Sequence, residues 1–272
     1  MNQFHPLSEQ AMTERLQTEV HSATVGDAVT VLEIRVPAAK AYETWLHHRR
    51  EHPRTGWYPF VSPWGPMTFV AREAIGGPWS GGGPKSLAHA LAQDPEEVVQ
   101  EMVSLIRGWV LANWKGPPLA LPFDMFEDTL AEHLAEHPEA DRETRPCRFH
   151  SGSGSVAICF VRARHGYEVP ALLPKAFETP NWNFSPDDDD HHEVLPAWHV
   201  AVLRSWNERF GAELYYAGRS RLEVLVARPP ADRRAAARVA IEQFAYDFDG
   251  VQDPDIAGDG QVRSAVWSFW WD

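Results

Sequence analysis

The sharpest chemical pattern in the chain is His133-Leu134-Ala135-Glu136-His137. Two histidines one helical turn apart can hold a divalent metal while the glutamate beside them activates water, as in the inverted zinc peptidases. Pro138 closes the helix directly afterwards and no acidic third ligand stands on a following helix, so a solvated helix end outweighs a metal centre. The run Asp187-Asp188-Asp189-Asp190-His191-His192-Glu193 concentrates ligands that suit a hard cation. It lacks the alternation and central glycine of a calcium loop, and a solvated loop outweighs a cage. Gly76 to Pro84 followed by Lys85-Ser86 invites comparison with a phosphate-cradling loop, but Pro84 removes a backbone donor where one is needed. Ser153 and Ser155 lie near His150 and His165 without the strand-turn-helix elbow that exposes a serine nucleophile. These patterns assign no catalytic residue, no metal site and no cofactor.

Twelve tryptophans remain to be explained, and six of them (Trp182, Trp198, Trp206, Trp267, Trp270 and Trp271) fall in the last third of the chain. Some must be core, yet their number suits a part-exposed aromatic groove, and aromatic anchors favour recognition of a protein or an extended ligand. The expected binding set is Trp182, Asn183, Trp198, His199, Glu213, Trp270 and Trp271. His199, one residue beyond Trp198 on an expected helix, could face a pocket shared with Trp182 and Glu213. The competing reading is a hydrogen-bonded structural histidine.

The elements that position these residues follow from spacing. Residues 28–36 are β-branched between Gly26-Asp27 and Pro37 and predict a strand, followed by a helix from Ala38 to about Glu51 that Pro53 closes. Residues 56–61 predict a short strand, and the Pro, Gly and Trp of 62–84 predict a loop. Asp94-Pro95-Glu96-Glu97 is a helix start, with Val99, Met102, Val103, Ile106, Trp109 and Val110 on one side; a second helix spans about 122–137. Residues 138–154 predict a linker, 155–163 a buried strand, 167–173 an extended piece and 180–193 a loop. Trp198, Val202, Trp206 and Phe210 recur every four residues on a helix over 196–210. A hairpin at Gly218-Arg219-Ser220 joins strands over 213–217 and 221–227, and a helix over about 231–248 follows. The terminal Val266-Trp267-Ser268-Phe269-Trp270-Trp271 is too apolar to stand in water.

Together these elements predict an α+β fold: a mixed or antiparallel sheet covered by helices, with a helical insertion in the N-terminal half. The expected division is an N-terminal α+β region, 1–150, and a Trp-rich C-terminal domain, 151–272. The formal charge of −13 opposes binding to nucleic acid and favours a basic protein partner. Only Arg233, Arg234 and Arg238 hint at a basic patch. No run of about 18 apolar residues and no apolar leader occurs, and two cysteines, Cys147 and Cys159, read as plain thiols, so the expected setting is cytoplasmic and away from membranes.

The C-terminal part resembles a bacterial family with no assigned activity, domain of unknown function 4253. The resemblance is carried by Asn181-Trp182-Asn183 with Pro186, by residues 199–206 (His-Val-Ala-Val-Leu-Arg-Ser-Trp), and by Phe210-Gly211-Ala212-Glu213. Val226-Ala227-Arg228-Pro229-Pro230, Glu242-Gln243-Phe244-Ala245-Tyr246 and Phe269-Trp270-Trp271-Asp272 complete it, over roughly 155–272. Two departures stand out: a longer, more acidic loop between Asn183 and His199, and Ser185 where the resemblance implies a cysteine near Pro186. The functional expectation is a non-enzymatic protein-binding module, for example one that neutralises a toxin. The alternative is a metal-dependent hydrolase using His199, Glu213 and the acidic loop 187–193.

Overall fold

The computed structural model describes residues 5–26, 28–75, 82–113, 127–136, 149–150, 154–180, 182, 194–251 and 253–271. Near the N-terminus, helix α1 (Glu9–Leu16) starts at Ser8, whose side chain accepts the Ala11 N–H. Strand β1 (His21–Val25) turns through Gly26, at φ 54°, into β2 (Val29–Pro37). Helix α2 (Ala41–Thr55) runs past Pro53, which sits in its last turn, and stops at left-handed Gly56. Strand β3 (Trp57–Ser62) follows.

The stretch expected to be a loop contains helix α3 (Pro66–Ala74). Pro66 presets the first helical φ behind Gly65, and Phe69 is buried; composition alone hid this short apolar stripe. Helices α4 (Pro84–Leu91), α5 (Pro95–Asn113) and α6 (Glu127–His133) come next. Asp94 Oδ1 accepts from the N–H groups of Glu96 and Glu97 at the start of α5. Beyond them lies strand β4 (Ser155–Arg162).

Residues 167–173, expected to be extended, form instead a 3₁₀ turn, Gly166–Glu168, and the single-turn helix α7 (Val169–Leu172). Pro170 near its start favours helical φ, and the Glu168 carboxylate holds the Arg164 N–H at 2.8 Å. Helix α8 (Pro196–Phe210), strands β5 (Ala212–Ala217) and β6 (Arg221–Val226), helix α9 (Arg233–Tyr246), helix α10 (Pro254–Asp259) and strand β7 (Val266–Trp270) complete the chain.

All seven strands lie in one sheet of order β1-β2-β4-β3-β5-β6-β7. Every neighbouring pair is antiparallel except β3 and β5, which run parallel and meet at Val61 and Tyr216. β4 threads between β2 and β3, pairing Glu33 with Cys159 on one side and Phe60 with Cys159 on the other. A division of the chain at residue 150 therefore runs through the middle of the sheet.

Because side chains alternate across a strand, Ala157, Cys159 and Val161 face one core while Val156, Ile158 and Phe160 face another. The larger core lies under α3, α5, α6, α8 and α9 and extends from β2 to β7; the smaller one lies under α1 and α2. The α8 stripe explains why the C-terminal helices dock where they do. Trp206 is fully buried, stacked on Phe269 at 5.3 Å and edge-on to Tyr246 and Trp267. Its indole N–H donates to Glu242 Oε2 at 2.9 Å.

Truncation of Trp206 to alanine removes this packing and one hydrogen bond to Glu242, a carboxylate that Arg209 and Arg238 also bind, so W206A is expected to cost about 3–5 kcal/mol in a urea titration. A loss below about 1 kcal/mol would show that the α8 stripe does not hold the core together.

Candidate functional site

Trp182, Trp198, His199 and Trp271 do come together, but as packed interior. Trp182, 2% exposed, donates its indole N–H to the Ala245 carbonyl at 3.0 Å and meets the half-buried Trp198 edge-on at 5.5 Å. His199, 1% exposed, places Nδ1 2.5 Å from the Tyr246 hydroxyl and lies edge-on to Tyr246 and Trp271. Trp271 donates to the Tyr246 carbonyl at 3.0 Å. Burial pushes the His199 pKa down to about 3, against a smaller opposing effect of the Phe177 backbone, so the ring is neutral.

Glu213 and Trp270 lie on the opposite face of the sheet. Glu213 pairs with Arg49 of α2, and Trp270 stands across from Arg221. The sheet thus separates His199 from Glu213, and the expected groove is not assembled from these residues. Asn183 and the acidic loop 187–193 lie outside the described residues.

The other patterns are placed as follows. His133 is exposed and bonds the Thr129 carbonyl through Nδ1 at 2.8 Å; Glu136 pairs with Arg233 at 3.7 Å; His137 is outside the described residues. The arginines that hinted at a basic patch are occupied. Arg234 pairs with Glu127 and Asp128, and Arg238 bridges Glu96 and Glu242, a carboxylate that Arg209 also binds. Among the described residues, no three His, Cys, Asp or Glu side chains converge as metal ligands, and no helix is long and apolar enough to cross a membrane.

What the structure does assemble is an open groove of about 570 Å³ where α4, the end of β4 and α8 meet. Its position follows from the parallel seam. β3 and β5 share a single bridged pair, and the Tyr58 hydroxyl donates to the Leu214 carbonyl at 2.9 Å across the gap. Gly166 sits against this contact: a Cβ there would lie 2.4 Å from the Tyr58 hydroxyl, so only glycine lets the chain turn so close. The turn carries the segment 162–168 out beneath α4 and α8.

One wall of the groove is apolar, formed by Leu87, Ala88 and Leu91 of α4. The rest is mostly polar: Arg162, Arg164 and His165 are exposed, and Arg204 reaches in from α8. Two acids, Glu168 and Glu208, line it as well. Glu168 is buried against the Arg164 N–H, with its pKa raised by burial, and Glu208 accepts from Arg204 Nε at 2.8 Å. His165 stacks on Tyr167 at 4.7 Å and 9°, and its pKa is lowered by burial and then by Arg49. A second cleft of about 630 Å³ between α1 and α2 is less suited to a ligand, since Arg15 and Arg54 both close onto Glu51 there.

Sequence reasoning passed over this groove. The available signal was Arg162-Ala163-Arg164-His165, a basic tetrapeptide at the end of a buried strand in an acidic chain.

Behind the groove, α2 is fastened to both halves of the sheet. Arg49 pairs with Glu213 and also donates from Nη1 to His52 Nδ1 at 3.3 Å, which leaves His52 Nε2–H to donate to the Ala163 carbonyl at 2.8 Å. His52 is 5% exposed, and burial lowers its pKa to about 4.

Residues 157–272 match the model of the family Domain of unknown function (DUF4253). No curated protein and no solved structure matches the chain. The matched stretch begins inside β4 and includes β5 to β7, whereas β3, the strand that joins β4 to β5, lies outside it.

Two outcomes follow. A fragment of residues 154–272 is expected to lack cooperative unfolding in circular dichroism, since without β3 the ladder from β4 to β5 is broken; a sharp transition in the fragment would contradict this. The second concerns pH. His52 and His199 have folded pKa values below the ordinary 6.5, so protons favour the unfolded chain. Stability is full above about pH 6.5 and falls as the pH drops towards 4 and then 3, by about 1.4 kcal/mol per pH unit for each such histidine. H52Q keeps both hydrogen-bonding roles without the titration and is expected to flatten the slope of urea-derived stability between pH 6 and pH 4.5; an unchanged slope refutes the assignment.

Proposed function

We propose that this protein is a non-enzymatic module that binds another protein, and that the groove between α4 and α8 is where it does so. Neutralisation of a toxin is one role of this kind. The observation that carries the reading is the grouping of exposed Arg162, Arg164 and His165 around the apolar wall of α4, in a chain whose formal charge is −13. Recognition surfaces combine an apolar patch with arginine forks and aromatic rings in this way.

The indoles expected to provide the anchors are mostly spent on the core, so the contact rests on arginine, histidine, tyrosine and leucine. Net charge contributes differently. It attracts a partner that is basic overall, but over a screening length of about 8–10 Å, and so acts on encounter more than on the final fit.

The test is a pull-down from the native host at low and high salt, with wild type beside R162E/R164E, both checked for an unchanged near-ultraviolet circular dichroism spectrum. A protein retained by wild type and lost by the double variant is the expected result. Retention of nothing at either salt would sink the binding reading.

A further inference from the structure

We infer that the chain self-associates through the free edge of its sheet, β1 of one copy adding antiparallel to β1 of a second copy. The sheet treats its two edges differently. Hydrogen bonds from Trp271 N to the Ser220 carbonyl and from Val226 N to the Ala265 carbonyl set the register of β7 on β6, so the N–H groups of Ser268 and Trp270 point out of the sheet. Both are stopped by side chains: Ser268 N–H donates to Gln261 Oε1 at 3.0 Å and Trp270 N–H to Asp247 Oδ2 at 2.8 Å.

The β1 edge has no such closure among the described residues. β1 pairs with β2 alone, in unbroken register from His21 with Glu33 to Val25 with Val29. Sheet edges are usually blunted by lysine, proline, a bulge or a covering segment. His21-Ser22-Ala23-Thr24-Val25 contains no lysine and no proline, its ladder has no bulge, and His21, Ser22 and Thr24 are exposed. The row of N–H and C=O groups along such an edge is matched by one kind of partner, another extended backbone.

Two features select a second copy of this chain as that partner. The edge is its own complement: paired antiparallel about Ala23, it sets Ser22 opposite Thr24 of the copy and His21 opposite Val25, with hydroxyl facing hydroxyl and no two acids opposed. The second feature is α3, which packs against β1. Its outward stripe is apolar at four-residue intervals: Met67 is 68% exposed, Ala71 is exposed, and Ile75, just past the helix end, is 82% exposed. Two-fold antiparallel pairing keeps both α3 helices on the same side of the joined sheet, so the same contact that completes the β1 ladder takes these side chains out of water. The formal charge of −13 opposes association of two copies, but salt screens that repulsion beyond about 8–10 Å. Close to the edge, Arg72 is already held by Glu178, and Glu19 lies 3.7 Å from His21.

The experiment is sedimentation velocity on the full chain over a series of concentrations at low and high salt. Wild type is expected to pass from monomer to dimer as concentration rises, and at lower concentration in high salt, where the repulsion between copies is screened. S22K/T24K and S22E/T24E change exposed side chains, and each sets like charges opposite one another twice across the pair, so each is expected to weaken dimerisation by about tenfold. Mixed in equal amounts they are expected to regain it, since lysine then faces glutamate. M67D/I75D is expected to weaken it as well, and every variant is checked for an unchanged circular dichroism spectrum. None of these positions lines the groove between α4 and α8, so the outcome is independent of the pull-down. The inference is overturned if wild type stays monomeric at every concentration and salt, which would leave the edge to a strand of another protein. It is equally overturned if S22K/T24K or M67D/I75D dimerises as well as wild type, or if the lysine and glutamate variants do not associate when mixed.

Discussion

β4 is hydrogen-bonded along both edges and buried on both faces, and the rest of the molecule is arranged to satisfy it. Its residues from Val156 to Val161 are apolar without interruption, so neither face can meet water. One face needs α2 and the other needs α3, α5 and the C-terminal helices, which lie on opposite sides of β4 in the sequence. The sheet can close around β4 only if β2 and β3, made early in the chain, leave a slot between them for it. That requirement makes the N-terminal and C-terminal parts one folding problem.

The weak point of that arrangement is the seam between β3 and β5. One bridged pair does not hold two strands, and the side chains take over: Tyr58 bonds the β5 backbone, and Arg49 ties α2 to Glu213 on β5 while bonding His52, which in turn holds the end of β4. The Tyr58 and His52 bonds are buried and those of Arg49 half-buried, and a buried hydrogen bond is worth more, and its orphaned partner costs more, than at the surface. The groove opens at the same end of the seam, because the 162–168 turn is wedged there by Gly166.

Much of the C-terminal architecture was legible because its signals are periodic. Trp198, Val202 and Trp206 mark α8 by their spacing, and Gly218-Arg219-Ser220 marks the turn between β5 and β6. α3 was not legible, since Pro66 and its glycine neighbours read as loop while a single buried phenylalanine carries the helix. The tryptophans show a deeper limit. Spacing tells which face of a helix is apolar but not what covers it, so Trp206 in the core and an indole in a groove look identical in sequence. Glu213 illustrates the same point for a sheet: its distance from His199 in sequence is small, yet it alternates with Ala212 and Leu214, which face the larger core, and so points to the other face.

The groove was illegible for a different reason, which also explains its charge. Arg162, Arg204 and Leu91 belong to three separate elements, and no spacing rule joins them. What distinguishes them is how the remaining arginines are used. Arg209 and Arg238 close on Glu242, Arg234 on Glu127 and Asp128, Arg72 on Glu178, and Arg49 on Glu213. In an acidic chain cations are scarce, and several of those that pair with acids join different elements, as Arg49, Arg209 and Arg234 do. Arg162 departs from this use, resting on an indole instead of a carboxylate. A guanidinium over an indole is held by its flat face, so Arg162 secures the end of β4 to β3 without using one of the acids.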